Sequence, residues 1–183
     1  MRIIEVVNYR ENWNEDFRQE AQSLQRSIGS LNPTIHHIGS TSVRGLSAKP
    51  VIDILIEVDY LGSLEKQVPA LAAIEYEYRG ENGIPGRMYF EKGGEDRTHQ
   101  IHAFERGSFG ALRHLAFRDY LRSHPDVAGK YAILKKRVAS DCDNDIDRYC
   151  AGKDEFIKEH EKLAVEWYSR SKRTKSDAAE PRR

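Results

Sequence analysis

Cysteine is scarce in this 183-residue chain: Cys142 and Cys150 are the only two. They make no disulfide framework, and their spacing matches no zinc-ligand pattern, so two reduced thiols in a cytoplasmic protein are the expectation. Net charge is absent as well, with 29 Lys+Arg against 29 Asp+Glu. No global field then draws the chain to nucleic acid or to an acidic membrane, and any basic site has to be local. Long apolar runs are missing too. Nothing approaches the roughly 18 apolar residues of a membrane span, and the opening "MRIIEVVNYRENW" carries too short an apolar run for a signal peptide.

The length suits one well-buried core, so residues 1–168 are expected to form a single domain. The stretch 169–183, "SRSKRTKSDAAEPRR", is polar and basic and is expected to be a disordered tail. Phe17, Ala21, Leu24 and Ile28 recur at helical spacing and predict a helix over 13–28. "TIHHI" and "VIDILIEV" read as strands flanking a Gly/Ser loop, and a helix is expected over 61–74. "YEYRG", "GRMYFEK" and "RTHQIHAFE" read as further strands, separated by the turn signals "ENGIPG" and "GGED". After Gly107 the pattern is helical. Pro125 suits a helix start, and Tyr149, Phe156, Leu163 and Trp167 form an apolar stripe on the last helix. The elements predict a mixed sheet with helices against it.

The chemistry concentrates in "HIGSTSVRGLSAKPVIDILIEV", residues 37–58. Gly39 permits close backbone approach, Ser40, Thr41 and Ser42 bring hydroxyls, and Arg44 and Lys49 bring charged donors for phosphate oxygens. The same hydroxyls could instead cap their own turn. It is not a Walker A loop: five residues separate Gly39 from Gly45, and no Lys-Ser or Lys-Thr follows. Asp53, flanked by Val51, Ile52 and Ile54, needs either a cation or an ion-pair partner such as Arg44, Lys49 or Arg118. Alternation puts Asp53, Leu55 and Glu57 on one strand face, so no adjacent second carboxylate lies on the strand "VIDILIEV".

His102 shares a strand face with Gln100, and a lone strand histidine reads either as a structural hydrogen-bonder or as part of a site. His114, Arg118 and Arg122 stack on one helical face, as an anion-binding stripe or as a solvated basic face. "DCDNDID" begins like a calcium loop, but Ile146 and Gly152 stand where Gly and Glu are required, so it reads as an acidic helix start.

At these residues the sequence resembles the GrpB family, relatives of the nucleotidyltransferase fold. The segment from His37 to Ile56 is similar to the family signature "HIGSTAVPGLAAKPIIDI", and "EYEYRG", "IPGRMYFEKG", "HLAFRDYLRSHP", "YAILKKRVA" and "YCAGKDEFI" match further in order. The resemblance implies an α/β (α+β) fold: a mixed-sheet nucleotidyltransferase-like core with a helical C-terminal third. It implies that the turn at Gly39 and Ser40 receives nucleotide phosphates and that Asp53 holds a divalent ion, magnesium, as metal ligand and catalytic group. Leu55 departs from the paired-acid pattern of active nucleotidyltransferases, no acid stands in "HQIHAF", and Arg44 replaces the usual Pro. Fusions of family members to dephospho-coenzyme A kinase point to nucleotide or coenzyme metabolism.

The expected partner is therefore a nucleotide or other phosphorylated small molecule, with no membrane and no nucleic acid. The candidate phosphate-binding set is Gly39, Ser40, Thr41, Arg44, Lys49, His102, His114, Arg118 and Arg122. Two functions compete: metal-dependent nucleotidyl transfer to an acceptor, and a binding module that retains the cradle without the metal pair. A docking scaffold built on the helical third is the remaining alternative.

Overall fold

The computed structural model describes residues 3–179. Helix α1 (Trp13–Ile28) precedes strands β1 (Thr34–Ile38) and β2 (Ile52–Val58). Short helices α2 (Leu61–Glu65) and α3 (Val68–Ala72) lead to β3 (Glu77–Tyr78), β4 (Met88–Lys92) and β5 (His99–Glu105). Helices α4 (Phe109–Ser123), α5 (Pro125–Asp141) and α6 (Ile146–Ala179) complete the described chain. None of the described helices is long and apolar enough to cross a membrane.

The strands form one mixed sheet in the order β1-β2-β5-β4-β3, in which β2 and β5 run parallel and the other neighbours antiparallel. A parallel pair needs a long crossover, and here the chain from α2 to β4 supplies it. Strand alternation then sorts the side chains. Ile52, Ile54 and Ile56 of β2, with Ile101, Ala103 and Phe90, join Leu24 and Ile28 of α1 and Leu64 and Leu71 in one core. Asp53 and Leu55 face the opposite side, where Leu55 packs with Ile38, Phe104 and Ala111 of α4. A second core, between the loop residues Val43 and Leu46 and helices α4 to α6, holds Tyr120, Leu121, Val127, Tyr131 and Ala164.

Three local expectations are corrected. The helix expected over 61–74 is broken into α2 and α3, because Pro69 sits in the first turn of α3 and cannot donate within a continuous helix. On α6 the exposed Leu163 leaves the stripe and Ala164 takes its place, since a strict seven-residue repeat drifts around a 3.6-residue helix. The α6 backbone stays helical to Ala179, past residue 169, because Arg, Lys and Ala prolong a helix whose earlier turns are already packed; residues 180–183 lie outside the described residues. The acidic start of α6 is as expected: Asp145 Oδ1 accepts from the amides of Asp147 (2.8 Å) and Arg148 (3.1 Å).

Leu55 has 0% exposure. Restoring the paired-acid spacing with Leu55→Asp therefore places a carboxylate in a closed apolar cluster and should destabilise the fold by about 4 kcal/mol. Urea unfolding of the two proteins, followed by circular dichroism, measures the difference.

Candidate functional site

The loop after β1 is shaped by Gly39, at φ 67° and ψ −173°. A Cβ there would collide with the Asp53 carboxylate, so backbone and side chain touch only because position 39 is glycine. Residues Ser40–Ser42 then form one 3₁₀ turn. Ser42 Oγ donates to Gly39 O (2.7 Å), and Thr41 Oγ1 pairs with His37 Nε2 (3.0 Å). Two arginines of α4 hold carbonyls of β1 and of the loop. Arg118 donates to His37 O at 3.2 Å, and Arg122 donates twice to Ser42 O, at 3.1 and 2.8 Å.

Ser40 differs from its neighbours, because its Oγ accepts from Lys135 Nζ of α5 at 2.7 Å. Both border a cavity of about 160 Å³ that also admits Lys49, Asp53, Tyr131, Tyr149 and Lys153. Lys135 Nζ also donates to Ser47 O and lies 4.5 Å from the centre of the Tyr131 ring. Lys153 and Lys49 flank Tyr149, at 4.0 and 4.9 Å from its ring centre. Burial, reinforced by the neighbouring Lys153 and opposed by Asp53, pushes Lys135 down to about 7. Burial likewise lowers Lys153, against the pull of Cys150 and Asp53.

Asp53 sits between Ile38 of β1 and Gln100 of β5 in the sheet register. His102 Nε2 lies 3.8 Å from Asp53 Oδ1, and His102 Nδ1 lies 3.0 Å from Arg87 Nη1. A guanidinium can only donate, so Nδ1 accepts and the ring hydrogen is on Nε2, facing Asp53. Arg87 is buried and anchored by the carbonyls of Glu81 (3.0 Å) and Asn82 (2.6 Å).

Residues 3–163 match the family described as GrpB protein. The chain belongs to the GrpB family. The UPF0157 protein YqkA of Bacillus subtilis is 46% identical over 166 residues, covering 91% of this chain and 48% of that protein. The chain thus spans about half the length of that relative. A dephospho-CoA kinase of Mycolicibacterium paratuberculosis is 26% identical over 180 residues, 85% of this chain and 44% of that one. The crystal structure of the conserved protein GrpB from Enterococcus faecalis superposes with a TM-score of 0.85 at 42% identity, covering 90% of this chain and 99% of that one. A cytoplasmic RNA terminal U-transferase superposes with a TM-score of 0.50 at 12% identity, over 70% of this chain and 41% of that one. That likeness is one of fold: this GrpB domain has a nucleotidyltransferase-like core.

Within the GrpB domain, Gly39, Ser40, Thr41, Lys49 and Asp53 meet at one cavity, and His102 adjoins it through Asp53. Arg44 does not join them. It is turned outward, with its side chain 85% exposed and 3.4 Å from Glu11. Arg118 and Arg122 do not line this cavity; their donors meet His37 O, Ser42 O and Asp119. His114 lies behind His102, with its Nδ1 on Gly110 O at 2.7 Å. Burial, with His102 and Arg113 beside it, pushes it down to about 3, so it packs as a neutral ring.

Lys135, Lys153, Tyr131 and Tyr149 are the residues that sequence reasoning missed. A signal for them exists: Val127, Tyr131 and Lys135 fall four apart on α5, and Tyr149, Lys153 and Phe156 lie on one face of α6. Lys135 therefore interrupts a buried stripe and Lys153 a partly buried one, where a cation needs a reason to be.

The residues of this cavity do not fit a magnesium centre. Leu55 fills the position of the second acid and faces the core. Of the other acids, Glu57 is tied to His36 (3.0 Å), Glu91 to Arg79 and Arg97, and Asp96 is exposed. Among the described residues no cluster of three His, Cys, Asp or Glu could hold a metal. Asp53 is left as one carboxylate facing amines, which oppose a second cation.

Gly39→Ala should cost about 3 kcal/mol and displace Asp53, because backbone strain and collision add. Gly45, at φ 78° with open space around its Cα, is the control, and Gly45→Ala should cost about 1 kcal/mol. Urea midpoints separate the two. A second outcome concerns acid. Burial lowers His37 to about 4 and His114 to about 3, from an ordinary 6.5. The unfolded chain then takes up protons first, so stability is full above pH 6.5 and falls as pH drops toward 4 and below. Melting temperatures at pH 7 and pH 5, for wild type and His114→Phe, should show part of this loss removed in the variant.

Proposed function

We propose that this GrpB domain binds the phosphate end of a nucleotide or other phosphorylated small molecule, and that lysines rather than a metal pair neutralise it. The observation that carries this reading is the convergence of Ser40, Lys135 and Lys153 on one cavity at the glycine turn. Three separate elements, the loop, α5 and α6, supply those groups. A structural ion pair needs only one cation beside Asp53, whereas a cavity bordered by three lysines has positive charge to offer an anion.

Its size restricts what enters. A volume near 160 Å³ is smaller than the roughly 300 Å³ at which ligand pockets begin, so it accommodates a phosphoryl or pyrophosphoryl group while the remainder of the molecule lies outside. Similarity to a dephospho-CoA kinase supports a nucleotide- or coenzyme-type ligand. Nucleotidyl transfer is disfavoured, because two-metal chemistry needs paired carboxylates and Leu55 is where the pair would be completed. Free Cys142 and Cys150 fit a reducing, cytoplasmic setting.

Thermal-shift titration with pyrophosphate, ATP and UTP, each with and without magnesium, tests the reading. Ligand at about 100 times its dissociation constant should add about 2.7 kcal/mol, without needing magnesium. Lys153→Met should abolish most of the shift, and the wild-type shift should weaken above pH 7 as Lys135, at about 7, loses its proton. A wild-type protein that no phosphate stabilises, or one stabilised only when magnesium is present, would overturn it.

A further inference from the structure

We propose that Ser40 is a nucleophile activated by Lys135, and that it accepts a phosphoryl group from a phosphoric anhydride such as a nucleoside triphosphate bound in the cavity. This inference rests on the phosphate-binding reading above and adds a covalent step to it.

The three loop hydroxyls are not equivalent. Thr41 Oγ1 pairs with His37 and Ser42 Oγ donates to Gly39 O, so both serve the turn. Ser40 Oγ alone of the three pairs with an amine, at 2.7 Å. Lys135 is 2% exposed, and its Nζ is anchored by the Ser47 carbonyl, which fixes where the nitrogen points. A protonated amine donates to Ser40 Oγ, while a neutral one presents its lone pair to the hydroxyl hydrogen in the same geometry. The groups facing Lys135 are Tyr131 on its own helix, Lys153 from α6, Asp53 from β2, and Ser40 and Ser47 from the loop. Lys153 and burial favour the neutral amine, and Asp53 opposes them. A serine with a base on one side and an anion-binding cavity on the other is placed to attack what the cavity holds.

The step balances with the groups present. Ser40 Oγ attacks the terminal phosphorus of the anhydride, and an Oγ–P bond forms. The bond from phosphorus to the bridging oxygen breaks, and the nucleoside diphosphate leaves with that electron pair. The hydroxyl proton passes to Lys135 Nζ. Lys153 and Lys49, which border the same cavity, offset the charge on the transferred group. The resulting phosphoserine lies beside a newly charged Lys135.

The test incubates the full chain with ATP, with and without magnesium, and reads intact mass, the modified peptide and the ATP-induced thermal shift together. The expected result is one phosphoryl group, mapped to Ser40 and absent from Ser40→Ala. Labelling of wild type should speed up as pH rises through about 7, where Lys135 loses its proton. Lys135→Arg keeps a cation but has no accessible base, so labelling should slow by about a hundredfold and lose that pH dependence. Peptide mapping of wild type needs no variant to fold. A thermal shift with no label, or a label on any other residue, overturns the nucleophile and leaves phosphate binding standing. Absence of both shift and label removes the binding reading on which it rests.

Discussion

The contact between the Gly39 backbone and the Asp53 carboxylate organises the rest of the site. β1 and β2 are antiparallel neighbours, with Ile38 opposite Asp53, so the chain leaving β1 has to pass directly over that aspartate. A side chain at position 39 would collide with it, and the backbone dihedral there is one that L residues rarely adopt. With glycine, the loop turns sharply enough for the next residue, Ser40, to reach the cavity while Thr41 and Ser42 close the turn. From α4, Arg118 then holds a carbonyl at the end of β1 and Arg122 one in the loop. The helical third thereby fixes the geometry of a loop more than 70 residues upstream, at separations of 80 and 81 residues.

Charge in the cavity is balanced differently from an acid-pair metal site. The sheet contributes Asp53, and α5 and α6 contribute Lys135 and Lys153, both lowered mainly by burial. Of the two, Lys135 is the more enclosed, with its Nζ held between Ser40 Oγ and the Ser47 carbonyl. On the opposite flank Arg87 sets the tautomer of His102 and directs its Nε2 hydrogen toward Asp53. The aspartate is thus flanked by donors from several elements, an arrangement suited to holding it in place.

Much of the fold was legible in the chain. The isoleucine alternation of β2 identifies the strand and separates its core face from the face carrying Asp53. Gly39, Ser40, Lys49 and Asp53 are close in sequence and meet because one loop joins adjacent strands. Arg44 belongs to that same loop yet points outward, because residues 43 and 46 turn their own side chains into the second core. The stripe of His114, Arg118 and Arg122 shares one helical face, but carbonyls of β1 and the loop claim its arginines and burial keeps its histidine neutral.

Local periodicity determined the strands, the principal helices and the glycine turn by itself, because each depends on residues within a few positions of one another. Only the tertiary structure decided which cations enter the cavity. Lys135 and Lys153 lie 95 and 113 residues beyond Ser40 along the chain, and their place depends on how α5 and α6 pack with α4 and the loop residues Val43 and Leu46. In sequence they are lysines among many, with the buried stripe they interrupt as the one local sign. Leu55 shows the converse: its identity alone removes the paired acid, and the packing of Ile38, Phe104 and Ala111 around it gives the physical reason that leucine is there.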